Sequence, residues 1–498
     1  MADEHTENFK NYVGGQWLNS NSENTYEITS PANKDAVLGS FQISGVDDVS
    51  QAVDAAHSAL VSWADTPAPA RAHILYKALE IMERRSEELA ETITIEEGKP
   101  ISDARGEVKR AMNIIEYSAG EGRRMFGYTT PSELPNTMAY TVRRPLGVVA
   151  LITPWNFPIA IPAWKLAPAL ICGNTVVFKP ASATPLSAVK LVEIFEEAGL
   201  PPGVLNLITG PGSSVGNSLV EHPKVSGISF TGSTEIGTGI YSAGAKLLKK
   251  VQCEMGGKNA VILLSDADLD KALSGIVQGA FGSTGQRCTA TSRAIVEEGI
   301  YSEFLGQLID RTAQLKIGDG LDPDVDVSPL SSQYQLDKVM EYIGIGTEEG
   351  ANLAYGGHVL NDGDYSKGYY IEPTVFTDVT PDMRIAKEEI FGPVLTVFKA
   401  TDLEDAVRIS NDVQFGLSSS VYTRDLPRAF KYVNTVEAGM VHVNAPTLGG
   451  EVHLPFGGLK ASGVGQREQG VEAFNFFSEV ITVYIDYADE AKAPANFI

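Results

Sequence analysis

The sequence predicts an α/β fold: two units built on largely parallel sheets, with a small β extension. Three observations carry this. Across residues 146–254, short apolar runs alternate with amphipathic helical segments. Such alternation gives a parallel sheet with helices packed on its faces. A second αβ pattern runs from 255 to about 460, and two β-forming stretches, 140–143 and 480–487, belong to neither pattern. A chain of 498 residues is also too long for one ordinary core, so two or more domains are expected.

Along the chain, residues 11–17 and 26–29 read as short strands. Helical periodicity predicts helices at 46–63 and 70–97, the second stopped by Gly98-Lys99-Pro100. The apolar stretch 147–178 is interrupted by Pro154, Asn156, Pro158, Pro162, Lys165 and Pro168. It reads as buried strand and loop rather than a membrane span. Strands are expected at 148–152, 175–178, 204–208, 225–230 and 248–252. The clearest helix between them, 186–198, carries Leu186, Val189, Val192 and Phe195 on one stripe. Thr184 is its expected N-cap, Pro185 its first residue, and Gly199 its stop. A helix at 269–282 leads into a loop bearing Cys288. This pattern is the architecture of dinucleotide-binding domains, whose ligands lie at the carboxyl ends of the strands. The outlying strands are suited to pair and to extend a sheet between subunits.

Composition excludes several functions. Hydrophobic content of 43% and charged content of 20% are those of a soluble globular protein. A net charge of −24 argues against partners rich in phosphate, whether nucleic acid or anionic membrane. It reads as a solubility device, or as the mark of a salt-adapted source. Three cysteines, Cys172, Cys253 and Cys288, are too few and too odd for a disulfide scaffold. They point to a reducing, cytoplasmic setting. The acidic start Met1-Ala2-Asp3-Glu4-His5 is unlike a signal peptide. No metal is implied, because the seven histidines lack ligand-like spacing with cysteines or carboxylates.

Chemistry is concentrated in a few strings. Cys288 sits in Phe281-Gly282-Ser283-Thr284-Gly285-Gln286-Arg287-Cys288-Thr289. A free thiol titrates at about 8.5, so a nucleophilic cysteine needs help at neutral pH. Glu254 precedes Met255-Gly256-Gly257 at an expected strand end, which is poor helix and good active-site loop. Taken alone, Cys288 reads as a small buried hydrophobe and Glu254 as a solvated strand end. Asn156 lies in Pro154-Trp155-Asn156-Phe157-Pro158, an ordinary proline-rich turn when read in isolation. The strings 178–185 and 230–237 each follow a strand and open a helix. Gly232-Ser233 at such a helix start is a ready pyrophosphate site, although the Gly-x-Gly-x-x-Gly fingerprint is missing. Lys387-Glu388-Glu389-Ile390-Phe391-Gly392-Pro393, Leu454-Pro455-Phe456-Gly457-Gly458 and Gly465-Gln466-Arg467-Glu468 complete the set.

In this order, these strings resemble the aldehyde dehydrogenase superfamily, over about residues 11–487. The resemblance implies that Cys288 attacks an aldehyde carbon and that the resulting thiohemiacetal is oxidised to a thioester. Glu254 would activate water to hydrolyse it, so that a free acid rather than a coenzyme A ester leaves. Asn156 and the Cys288 N–H would hold the oxyanion, worth about 3–4 kcal/mol each. Lys165 and Glu468 would shuttle protons, although an extra residue precedes Glu468 relative to the commonest family spacing. The implied cofactor contacts are Ile152, Trp155, Lys179, Ser182, Gly212, Gly232, Ser233, Ile236, Glu389 and Phe391. NAD-preferring relatives commonly carry Glu where Ser182 stands. A small neutral residue there admits a 2′-phosphate, which implies NADP, with NAD or dual use as the alternative. Phe157, Ile161 and Trp164 match positions that line the substrate pocket, and Arg287 is the cation expected to meet a carboxylated aldehyde.

The implied division is an NAD(P)-binding domain over 1–125 and 146–254, a catalytic domain over 255–465, and an oligomerisation extension over 126–145 and 478–498, in a homodimer or homotetramer. The strings around Asn156, Cys288 and Glu468 are most similar to members that oxidise α-ketoglutaric semialdehyde (2,5-dioxopentanoate). Succinate semialdehyde oxidation, broad aldehyde scavenging and a catalytically silent structural relative are the alternatives.

Overall fold

Strands Val148–Ile152 and Thr175–Lys179 are buried along their whole length, as apolar runs between helices demand. They pair in parallel from Val148↔Thr175 to Ile152↔Lys179 and form the heart of an eight-stranded sheet. A computed structural model describes residues 6–488. The readings that fall on 1–5 and 489–498, the acidic start and the end of the extension, lie outside the described residues. From Val148–Ile152 the chain steps outward through Thr175–Lys179 to Leu205–Leu207. It then returns to lay Val225–Thr231 and Lys250–Glu254 on the opposite side. This reversal is a topological switch point, and it opens a crevice beyond the strand ends Ile152, Thr231 and Glu254.

A seven-stranded sheet, in the order Asn352–Tyr355, Thr374–Thr377, Val394–Ala400, Thr291–Glu297, Asn259–Leu263, Ser418–Tyr422 and Met440–Val443, forms the second unit. The expected pairing of the outlying strands is present. Thr137–Pro145 and Ser478–Asp486 run antiparallel from Thr137↔Asp486 to Pro145↔Ser478, with Thr129–Pro131 beside them. The stretch after residue 460 turns back to the first unit. Gly463–Val464 pairs with Glu254 and Cys253, and Phe474, Phe476 and Phe477 enter the first core.

Several local expectations change. Residues 11–17 are a hairpin of Asn11–Val13 and Gln16–Leu18, because Gly14 and Gly15 take φ of 61° and 84° and turn the chain. The expected helix 70–97 is two, Ala68–Arg84 and Ser86–Glu97, broken at Arg85 (φ −99°, ψ 14°). The expected strand at 248 begins at Lys250, since Leu248 is a left-handed turn residue at φ 55°. Thr184 makes no side-chain cap bond. The buried Glu96 carboxylate instead accepts the N–H groups of Leu186 and Ser187.

The largest departure lies in 147–178, which holds a fully buried helix, Ala160–Ile171, where strand and loop were expected. Its first N–H groups are satisfied from outside: Glu107 Oε1 accepts from Ile159 (2.8 Å) and Ala160 (3.0 Å). Glu107 belongs to a second unexpected helix, Ile101–Glu121. Lys99, buried just before that helix, donates to Glu107 Oε2 (2.7 Å) and to the Asn156 carbonyl (2.6 Å). Its ammonium also lies 4.1 Å from the centre of the Phe157 ring.

Lys99→Met leaves Glu107 ionised and unpaired in the core. The expected loss is about 3–5 kcal/mol of stability, read from urea unfolding curves.

Candidate active site

Helix Leu269–Phe281 delivers the chain into a tightly wound loop in which Ser283, Thr284 and Gly285 all take left-handed φ, 47°, 55° and 67°. That conformation costs a non-glycine residue about 1–2 kcal/mol. Hydrogen bonds hold it in place. Ser283 Oγ donates to Asp103 (2.6 Å), Thr284 Oγ1 to the Ser328 carbonyl (2.7 Å), and Gln286 Oε1 accepts from Ser331 N–H (3.0 Å). At 285 a side chain would run into the Gly392 carbonyl, so glycine is needed. Past the nucleophile, Asn259 Nδ2 binds the carbonyls of Cys288 and Ala290 (2.8 Å each), while its Oδ1 accepts from Ser418 N–H.

Cys288 lies partly exposed on the wall of a cavity of about 380 Å³ that Asn156, Ile161, Gly232 and Glu389 also line. Burial pushes its thiol up to about 12, with further upward pressure from Glu389 and Glu254. Asn156 Nδ2 donates to the Gln286 carbonyl (3.0 Å), which brings the amide beside the peptides flanking the sulfur. The Cys288 N–H makes no backbone hydrogen bond among the described residues.

Glu254 ends strand Lys250–Glu254 and is buried. Its carboxyl is held well above the usual range, first by burial and then by Glu468, with Arg467 and Lys165 opposing. It accepts the Gly458 N–H (3.3 Å) and lies against Gly457, where any side chain would collide with it. Glu468 forms a buried ion pair with Lys165, which also donates to Ser229 Oγ (2.8 Å). The second Glu468 oxygen is buried without a partner among the described residues. Gly465 ahead of Glu468 takes φ 86°, and Phe456 and Glu468 exchange backbone hydrogen bonds.

On the opposite side of the cavity, Trp155 meets Phe391 edge-on at 5.4 Å. Glu389 accepts the Gly257 N–H (2.9 Å), and Gly256 leaves room for its carboxylate. Ser233 caps helix Thr234–Lys246 by accepting from Ile236 N–H. Further out, Lys179 Nζ donates to the Pro180 carbonyl (2.8 Å), and burial draws its pKa down to about 8. Ser182 Oγ donates to the Gly210 carbonyl (3.0 Å). Ile152 ends its strand, and Gly212 opens the short π-helix Gly212–Gly216. The residues fit a dinucleotide. Thr153 and Thr231 line the cavity with buried hydroxyls that have no partner among the described residues, next to the open start of a helix.

On the substrate side, Ile161 and Trp164 cluster with Ile114, and Phe157 packs against them. Arg287 does not meet the expectation placed on it. Its guanidinium turns away from the cavity to Asp103 Oδ2 (2.7 Å) and Ser283 Oγ (2.8 Å). With its charge neutralised by Asp103, it braces the nucleophile loop.

Sequence reasoning missed Lys99, Asp103, Glu107, Arg110 and Asn259. The signal for the helix was present: Pro100 followed by Ile101, Ala104, Val108, Ala111 and Ile115 at helical spacing. Asp103, Glu107 and Arg110 then fall on one stripe, three and four residues apart.

A fold with this cavity and this cysteine defines a class. The chain belongs to the aldehyde dehydrogenase family, enzymes that oxidise aldehydes with NAD or NADP, and it matches the family's model over residues 17–483. It is 46% identical over 477 residues to an alpha-ketoglutaric semialdehyde dehydrogenase of Bacillus subtilis (strain 168), covering 96% of this chain and 98% of that protein. It is 46% identical over 483 residues to an alpha-ketoglutarate semialdehyde dehydrogenase of Haloferax volcanii, covering 97% of this chain and 100% of that protein. The crystal structure of betaine aldehyde dehydrogenase from Staphylococcus aureus in complex with NAD+ superposes with a TM-score of 0.95, at 33% identity, over 98% of this chain and 96% of that one.

Arg287→Leu is expected to leave KM for a carboxylated aldehyde within about twofold of wild type. Stability should fall by about 1–3 kcal/mol as Asp103 loses its cation. Steady-state kinetics and thermal unfolding measure the two effects.

Proposed function

We propose that this enzyme oxidises α-ketoglutaric semialdehyde to 2-oxoglutarate through Cys288, with NADP as the preferred cofactor. One observation carries the chemistry: Cys288 and the Asn156 amide converge on a single cavity, and Glu254, Glu468 and Lys165 form a buried line behind it. The substrate reading is supported by close similarity, across nearly the whole chain, to the two semialdehyde dehydrogenases.

In this mechanism Glu254 takes the Cys288 thiol proton and passes it toward Glu468 as the sulfur attacks the aldehyde carbon, and Asn156 Nδ2 and the Cys288 N–H take the developing oxyanion. Bound NAD(P) supplies the acceptor for the hydride that leaves the thiohemiacetal. Trp155, Gly232, Ser233, Ile236, Glu389 and Phe391 would hold the nicotinamide half, and Ile152, Lys179, Ser182 and Gly212 would hold the adenosine half. Glu254 rotates away from Gly458 and takes a proton from the water that hydrolyses the thioester. The proton then passes toward Glu468 and Lys165. Ser182 supports NADP, since a hydroxyl occupies the place where a carboxylate would repel a 2′-phosphate. The same fold takes NAD+ in the betaine enzyme.

The domain division also belongs to this proposal, with 463–477 added to the cofactor-binding unit. So does assembly into a homodimer or homotetramer through the three-stranded extension. Met138, Val480, Tyr484, Ile485 and Tyr487 leave an apolar surface exposed there. A cytoplasmic setting fits the free cysteines, and among the described residues no helix is long and apolar enough to cross a membrane.

Initial rates with α-ketoglutaric and succinate semialdehydes, each with NADP and NAD, test the assignment. Preference for the five-carbon substrate with NADP is expected, and equal or better rates with succinate semialdehyde and NAD would overturn it. Asn156→Ala should lower kcat about 10²–10³-fold. Because Glu254 acts in its deprotonated form and its pKa is raised, the active fraction grows as pH rises through that pKa. Hydrolysis should therefore accelerate as pH rises beyond the usual carboxylate range. Glu254→Gln should abolish this limb and leave a burst of reduced cofactor with slow turnover.

A further inference from the structure

We propose that the Arg110 guanidinium receives the distal carboxylate of the aldehyde substrate. This rests on the carboxylated-substrate reading above and names the residue responsible for it. Arg110 lies on helix Ile101–Glu121, on the stripe that also carries Asp103 and Glu107. Its guanidinium sits 5.7 Å from the centre of the Trp164 ring. Trp164 packs with Ile161, and Ile161 lines the cavity that holds Cys288. The cation thus lies over Trp164, which packs on Ile161 of the nucleophile's cavity.

Its hydrogen bonding is what sets it apart. The chain has 63 acidic residues against 39 basic ones, yet Arg110 makes no ion pair among the described residues. It donates only to the Gly450 carbonyl and to Gln469 Oε1 (3.0 Å). Arg110 is half-buried, and the other buried or half-buried arginines without an ion pair among the described residues are spent on structure: Arg143 donates to Ser478 and Asn475, and Arg467 donates to the Gly458 carbonyl beside Glu254. Arg71 clamps the carbonyls of Trp63, Ala64 and Ile171, and Arg293 uses all three nitrogens on the carbonyls of Lys258, Ile409 and Ser410. Arg110 spends two contacts on neutral oxygens out of five N–H donors. Burial disfavours its charge, and a negative charge at Cys288 favours it, so the two groups share one electrostatic environment.

A substrate with its aldehyde carbon at Cys288 and a carboxylate at its far end supplies what this arginine lacks. A planar guanidinium stacked on an indole presents a fixed fork, and a 2-oxo acid offers it two adjacent acceptors. Arg287, by contrast, is already paired with Asp103. The loop at Gly450 and the neutral Gln469 aim the guanidinium without quenching it.

The test compares kcat/KM of wild type, Arg110→Leu and Arg110→Lys on α-ketoglutaric semialdehyde, succinate semialdehyde and uncharged pentanal. Arg110→Leu should lose about tenfold to a hundredfold on both semialdehydes, chiefly through KM, and stay within about twofold on pentanal. Arg110→Lys should fall between. Equal loss on all three aldehydes would assign Arg110 to holding the Gly450 loop and overturn the proposal, as would no change on any. If wild type itself favours pentanal, the substrate reading fails before any variant is made. If wild type favours the semialdehydes and Arg110→Leu keeps that preference, only the Arg110 assignment fails. If Arg110→Leu does not fold, Arg110→Gln carries the same comparison. Protection of Cys288 from iodoacetamide by 2-oxoglutarate gives a readout without turnover: wild type should be shielded and the variant not.

Discussion

A single ammonium group with no access to water ties the Asn156 turn to the helix that carries Ile161, Trp164 and Lys165. Lys99 binds Glu107 and the carbonyl of Asn156 at once, and Glu107 in turn caps the helix that carries Ile161, Trp164 and Lys165. The positions of the Asn156 amide and of Ile161, Trp164 and Lys165 all trace to this ion pair. Burying both charges is costly unless every donor and acceptor is satisfied, and here the backbone of the active-site loop completes the set. Motion of that loop would therefore strand a charge, which fixes it more firmly than apolar packing would.

The second constraint is electrostatic. Glu254, Glu389 and Glu468 surround the thiol in a poorly solvated space, and their combined field opposes a resting thiolate. An anionic substrate would find the same field hostile unless a cation met it on arrival. Lys165 is engaged by Glu468, and Arg287 by Asp103. The acidity that keeps the thiol quiet thus raises the value of any cation left uncommitted along the channel.

The reactive centre was largely legible in the sequence because its chemistry is written in local strings. Glycines beside Cys288 and Glu254, and a strand followed by Gly232-Ser233, carry their meaning within a few residues. What stayed illegible was the support. Helix Ala160–Ile171 is apolar on every face except for the buried Lys165 and contains Pro162 and Pro168, so periodicity had little to read. Its cap comes from Glu107, far away in the chain, and a capping residue at that distance leaves no local mark. Arg287 was misread for the complementary reason. Adjacency to the nucleophile suggested a role in the pocket, whereas the left-handed turn at 283–285 swings the side chain toward Asp103.

The return of residues 463–477 to the first unit bears on how the enzyme is made. A ribosome releases the amino-terminal sheet early, and domains generally fold as they emerge. This sheet must wait, because its edge strand Gly463–Val464 and the core residues Phe474, Phe476 and Phe477 are synthesised only after the second unit. Glu468 arrives in the same segment, so the partner of Lys165 is missing until the second unit has been made. Maturation of the first unit is in this way tied to synthesis of the second, and a chain that stopped before residue 463 would carry Cys288 without the Glu468 partner of Lys165.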